Sequence, residues 1–213
     1  MASCSSGSRS GDGFEGGGGG VNQNDIISER DMIVERGQNT DAVDEVLSVS
    51  QEMLNIYGQQ VPLEQFLIAK MKPSASSMAY YDGSNIAVNE KYMNSKTMNS
   101  AYDACGDFHP SRGNKTGMQA VVAHEFGHAL SDAVGRKLGG KGIDGASLEV
   151  MRRASKQLGA KNAGAVARKI SGYAKTSAAE AVAEAFADVF CNGKNAKKES
   201  RTVIDICNGI LGI

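Results

Sequence analysis

The stretch Val121-Val122-Ala123-His124-Glu125-Phe126-Gly127-His128-Ala129-Leu130 constrains this chain more than any other. Its apolar flanks let it run as one helix, and two histidines stand four residues apart within it. Residues at that spacing lie one above the other on a single helical face. Two imidazole nitrogens can therefore reach one Zn²⁺ at about 2.0–2.1 Å. Glu125 follows about 100° further round the helix, where its carboxylate can act on a water beside the metal without ligating it. Val122, Phe126, Leu130 and Ala133 fall opposite the histidines and supply an apolar back for a core. The chain has three histidines, and two of them sit in this motif. H-E-x-x-H on a helix predicts a zinc site with the chemistry of peptide-bond hydrolysis.

Catalytic zinc takes three protein ligands and leaves a fourth position to water, so a third ligand has to lie elsewhere. A metzincin pattern needs Gly and His three and six residues after His128, but Ser131 and Val134 stand there. A thermolysin-like pattern places a glutamate about 20 residues downstream with an acid four further on, to orient a histidine. Glu149 has that spacing, yet Arg153 holds the partner position. Asp132 lies one turn beyond His128 and would have to reach back along the helix axis. Further along, Glu180, Glu184 and Asp188 recur every four residues on an Ala-rich helical stretch, opposite Val182, Phe186, Val189 and Phe190. Three like charges on one stripe repel unless a cation relieves them. Ser177-x-x-Glu180 also reads as a capping box, in which Glu180 only returns a bond to the Ser177 backbone. Both readings of Glu180 stand at this level.

H-E-F-G-H-A, followed by Tyr173-x-x-Thr176-x-x-x-Glu180-x-x-x-Glu184-Ala185-Phe186, resembles the gluzincin metalloproteases of the anthrax-lethal-factor type. It is similar too to the zincin-like metalloprotease domains of phage structural proteins and bacterial toxins. The resemblance covers roughly residues 76–190 and rests on these two segments. It implies Glu180 as the third zinc ligand and Tyr173 as an active-site tyrosine with its hydroxyl near the metal. It implies Glu184 as an acid that supports the site from behind the ligands. The segment between His128 and Tyr173 is longer than the resemblance leads one to expect.

The fold expected is α+β and zincin-like, mostly helical, with a small sheet before the metal helix. Met78 to Asn89 reads as two short strands joined by a turn at Asp82-Gly83-Ser84. Such a ribbon resembles the edge strand on which zincins pair extended substrate. Residues 39–57 carry apolar positions at helical spacing, Pro62 to Met71 reads as a short helix, and helices are expected over 146–158, 162–172, 177–191 and 197–210. His109, in the loop feeding the metal helix, can line the cleft. Residues 1–20 are Gly/Ser-rich and too poor in apolar side chains to repay their ordering, so they are expected to be a disordered tail. The remainder, 21–213, is expected to form one domain with its core over 76–190.

Composition narrows the partners. A net charge of −1 and a pI near 6.3 give no basis for nucleic-acid or anionic-membrane binding. No apolar run approaches the ~20 residues of a membrane span, and the first residues lack a signal-peptide core. Synthesis in the cytoplasm is expected, with virion association or another export route open. Cys105, Cys191 and Cys207 have no metal-ligand spacing and read as reduced thiols. Two functions compete: an endopeptidase with Glu125 as general base, acting on a protein or peptide, and a silent zinc-binding module, with phage structural proteins as partners. Retention of Glu125 favours the first, because a structural zinc site has no use for an acid beside the metal.

Overall fold

The computed structural model describes residues 23–32, 40–61 and 63–213. The Gly/Ser-rich tail expected over residues 1–20 lies outside them. Four strands, β1 (Ile26–Asp31), β2 (Gln65–Met71), β3 (Ala79–Tyr81) and β4 (Asn85–Asn89), form one sheet in the order β1-β2-β4-β3. β1 runs antiparallel to β2, β2 parallel to β4, and β3 antiparallel to β4. Among the described residues seven α-helices follow or interleave: α1 (Thr40–Tyr57), α2 (Ser95–Asp103), α3 (Gly117–Lys137), α4 (Ile143–Gln157), α5 (Ala163–Ile170), α6 (Ala178–Asn192) and α7 (Lys198–Leu211). The mostly helical α+β class with a small sheet ahead of the motif helix is what the sequence led us to expect. Among the described residues, no helix is long and apolar enough to cross a membrane.

The β3–β4 hairpin is the one expected at residues 78–89. Asp82 closes its turn by accepting the Ser84 and Asn85 backbone N–H groups at 2.9 and 2.7 Å. Gly83 supplies the positive φ of 111° that the turn demands. The segment expected as a helix over Pro62 to Met71 is instead strand β2. The reason lies in its burial. Phe66 and Ile68 point into the main core, while Leu67, Ala69 and Met71 join a second cluster with Tyr80 and Ala87 on the opposite face of the sheet. A strand buried on both faces reads as an unbroken apolar run, which periodicity does not separate from a short helix.

The main core lies between the sheet and the helices, with α3 at its centre. The helix begins with a complete capping box, in which Thr116 bonds the Gln119 backbone and Gln119 returns to the Thr116 N–H. It is buried almost all round and not only along its apolar back. Phe126 on α3 packs with tilted rings against Tyr57 of α1 and Phe186 of α6, with centroids 5.7 and 5.3 Å away, and Tyr57 meets Phe186 edge to face at 5.6 Å. That aromatic cluster backs the motif helix from the side away from its histidines.

Candidate metal centre

Helices α3 and α6 approach more closely than ordinary side chains permit. A Cβ added to Gly127 would stand 2.6 Å from the Ala183 Cα and 3.1 Å from the Ala183 carbonyl oxygen. Glycine on one helix and alanine on the other let the two backbones meet. On α3 His124 stands three residues before Gly127 and His128 one after it; on α6 Glu180 and Glu184 flank Ala183 in the same way. The contact therefore sets the distance between the two sets of side chains.

His124 Nε2 lies 3.1 Å from Glu180 Oε2, and His128 Nε2 lies 3.5 Å from the same oxygen. One donor atom from each of the three residues falls within 4.8 Å of the other two, and the group can hold a metal ion. The spacing fits such an ion well. Four-coordinate bonds of about 2.0–2.1 Å set neighbouring ligand atoms roughly 3.3 Å apart. Glu180 is 1% exposed, and neither of its carboxylate oxygens has a hydrogen-bond partner among the described residues. The histidine nitrogens sit close to it but are not aligned for hydrogen bonding. Buried carboxylates are otherwise satisfied or neutralised, so three polar groups aimed at a common point rather than at one another suit a shared cation. Ser177 caps α6 by accepting the Glu180 N–H at 3.1 Å, but the Glu180 side chain turns toward the histidines and does not complete a capping box.

Glu184 stands behind the ligands. Its Oε1 faces His124 Nδ1 at 2.8 Å and His109 Nδ1 at 2.9 Å, while its Oε2 accepts the Ser171 hydroxyl at 2.7 Å. Burial alone would raise its pKa. The bonds from His109 and His124 outweigh burial and hold the carboxyl down at about 2. A carboxylate only accepts, so His124 donates through Nδ1, and its Nε2 lone pair faces the metal position. Burial works against the charged imidazole, but Glu180 and Glu184 together hold the His124 pKa well above its ordinary value. Burial works the other way on Glu180, but His124 and His128 hold its carboxyl well below the ordinary value.

Glu125 is 7% exposed, and burial raises its pKa despite the two neighbouring histidines. The backbone N–H of Tyr81, on edge strand β3, donates to its carboxylate. Tyr173 lies in a 3-10 turn (Tyr173–Lys175) just ahead of α6. Its ring stacks on His124 at 5.7 Å and 17°, and on Phe108 at 5.1 Å and 29°. Gly172 permits the second stack, since a Cβ there would meet the Phe108 Cα at 3.0 Å. Burial first, then the charges of Glu180, Glu125 and Glu184, keep the Tyr173 hydroxyl protonated. A cavity of about 140 Å³ opens beside these groups, lined by His124, Glu125, Tyr173, His109 and Ala79 of β3 among others.

The structure thus brings together His124, Glu125, His128, Tyr173, Glu180 and Glu184. It leaves out the other acids weighed for the third ligand. Glu149 pairs with Arg153 at 2.9 Å on α4, and Asp132 pairs with Arg136 and accepts the Tyr81 hydroxyl. Asp188, last of the acidic stripe, accepts Asn192 Nδ2 and the Lys197 backbone N–H, a helix-end role. Cys105 departs from the reduced state expected of it, being disulfide-bonded. Cys191 and Cys207 are free, and burial pushes both thiols up to about 12, far from the thiolate a ligand or nucleophile requires. His109 and Ser171 belong to the site through Glu184, and neither stands in a motif. Compared with known protein families and with curated proteins, the chain matches none.

Proposed function

We propose that the protein is a zinc-dependent endopeptidase with a zincin-like domain, in which His124, His128 and Glu180 hold the metal and Glu125 is the general base. The observation that carries this reading is the buried acid beside the three convergent donors. Glu125 contributes no donor atom to that group, yet it lines the same cavity as His124. A purely structural metal site gains nothing from such a carboxylate and pays for its burial. Zinc at this position would lower the pKa of a water toward about 7 and polarise a carbonyl. Glu125, its basicity raised by burial, takes a proton from the attacking water and later delivers it to the leaving amine. The Tyr173 hydroxyl, still protonated, donates to the oxyanion of the tetrahedral intermediate; loss of one such donor typically costs about 2.7–4 kcal/mol. Glu184 holds His124 in the tautomer that ligates. Among the described residues β3 is an edge strand of the sheet, and its Ala79 borders the cavity, where backbone groups can pair with an extended polypeptide.

The test is cleavage of a denatured protein or a peptide library, with and without a chelator. Zinc-dependent cleavage by the native protein is expected. Glu125→Gln should retain the fold and stoichiometric zinc while losing nearly all turnover. Cleavage at native rates by Glu125→Gln would remove the general base from the mechanism.

A further inference from the structure

His109 is the third histidine of the chain and the one the proposed mechanism leaves unused. Its ring is held from several directions. Tyr102 stacks on it at 5.4 Å and 25°, while Phe108 and Tyr173 meet it edge to face at 5.3 and 5.4 Å. Nδ1 is committed to Glu184 Oε1 at 2.9 Å. Nε2 is therefore the polar atom that His109 has left for a ligand, on a ring that lines the cavity beside Glu125 and His124. Met78, Tyr102, Phe108 and Val121 supply apolar and aromatic walls to the same cavity. The Tyr102 hydroxyl is already spent on the Pro110 carbonyl at 2.8 Å, so Tyr102 presents ring surface rather than a hydrogen-bonding group.

We infer that this cavity is a specificity pocket for a tyrosine side chain of the polypeptide substrate, with His109 Nε2 as the partner of the tyrosine hydroxyl. The volume of about 140 Å³ is close to that of a cavity of roughly 150 Å³ that accepts benzene, so one aromatic ring fits. The walls suit the faces of a ring, and a single fixed imidazole nitrogen suits a polar tip. A phenol hydroxyl both donates and accepts, so it satisfies Nε2 whether or not that nitrogen carries a proton. Phenylalanine fills the same space but leaves Nε2 stripped of water and unpaired, which is the origin of discrimination in a polar-tipped pocket. The placement of the pocket next to the reacting groups rests on the peptidase reading above; the preference for a phenol does not.

The experiment compares N-acetyltyrosinamide with N-acetylphenylalaninamide as ligands of the zinc-loaded and the metal-free protein, followed through the imidazole ¹⁵N resonances. The tyrosine compound should bind about tenfold more tightly, with its largest shift on His109 Nε2. His109→Asn keeps an N–H donor where Nδ1 stands and so preserves the bond to Glu184 while removing Nε2. It should erase the tenfold preference while the protein still folds and binds zinc, with a lower melting temperature because the ring contacts to Tyr102, Phe108 and Tyr173 are lost. Equal binding of the two compounds by the native protein, no saturable shift with either, or a preference that survives His109→Asn would each overturn the inference. Peptides that differ only by Tyr or Phe beside the scissile bond then test the link to turnover. Fragment selectivity without cleavage would defeat the peptidase reading and leave the pocket standing.

Discussion

Replacing Gly127 by alanine adds one methyl group at the point where α3 and α6 touch. The new Cβ would lie 2.6 Å from the Ala183 Cα and 3.1 Å from the Phe186 Cβ. Carbon atoms rest at about 3.5–4.0 Å, so α6 has to retreat by roughly 1 Å. The contacting atoms at Ala183 are backbone, which leaves no side chain free to swing aside. Overpacking of this kind costs about 1–3 kcal/mol, and alanine's higher helix propensity returns up to about 1 kcal/mol. The net loss of stability is therefore modest, about 0–2 kcal/mol. The effect on the metal is larger in proportion, because ligand distances tolerate only about ±0.2 Å and Glu180 moves with α6. Gly127→Ala should lower zinc affinity by at least about tenfold, about 1.4 kcal/mol, in competition with a chromophoric chelator. It should also shrink the rise in melting temperature that saturating zinc confers. Gly145→Ala in α4 is the control: its nearest neighbour is Lys141 Cβ at 3.6 Å, so it should leave zinc affinity unchanged and not destabilise. Native zinc affinity in Gly127→Ala would refute the idea that helix approach sets the site.

Glu180→Ala should reduce zinc affinity by orders of magnitude while Glu149→Ala leaves it unchanged, since Glu149 faces Arg153 on another helix. Equal affinities in isothermal titration would remove Glu180 from the ligand set. The metal-free protein should lose stability on both sides of a mildly acidic optimum. Glu184, held near 2 against an ordinary 4.5, contributes stability that is full above about pH 4.5 and lost as the pH falls toward 2. His124, raised well above 6.5, contributes stability that is full below 6.5 and lost as the pH rises through its folded value. Thermal melts across pH should show both limbs, with Glu184→Gln flattening the acid one. Zinc should suppress the alkaline limb because it binds the deprotonated imidazole.

The parts of the site that were legible in the sequence are those whose geometry is local. His124, Glu125 and His128 follow from a single helical turn. The α6 acids follow from four-residue spacing, although spacing alone left Glu180 between a cap and a ligand. What decided its direction was the crossing of two helices, a contact between distant segments. His109 lines the cavity as expected, but its bond to Glu184 was not legible for the same reason: the two residues are 75 apart in the chain. The alanines of α6 read as helix formers, and nothing in the sequence pattern singled out Gly127, whereas their lack of bulk is what lets the helices meet. β2 was misread because both its faces are covered. β1 carries Ser28, Glu29, Arg30 and Asp31 with little apolar alternation, so its membership depends on pairing with β2 rather than on its own pattern. Helix α2 is a polar segment whose Met98, Ala101 and Tyr102 are buried, too few positions to set a period.

The bonds from His109, His124 and Ser171 to Glu184 have a consequence for the order of assembly. In many small metal proteins the ion is the nucleus around which the chain organises. Here Glu184 fixes the His124 ring through Nδ1, and the Gly127–Ala183 contact fixes the separation of α3 from α6, all by protein atoms. On the proposed reading, such a chain is expected to fold before it takes up its metal. Stripping the ion should then leave the fold intact, and metal binding should return when the ion does. Far-ultraviolet circular dichroism that stays native in chelator, with prompt recovery of zinc binding on dilution, is the signature of that behaviour; collapse of the helical signal would place the ion back at the start of folding.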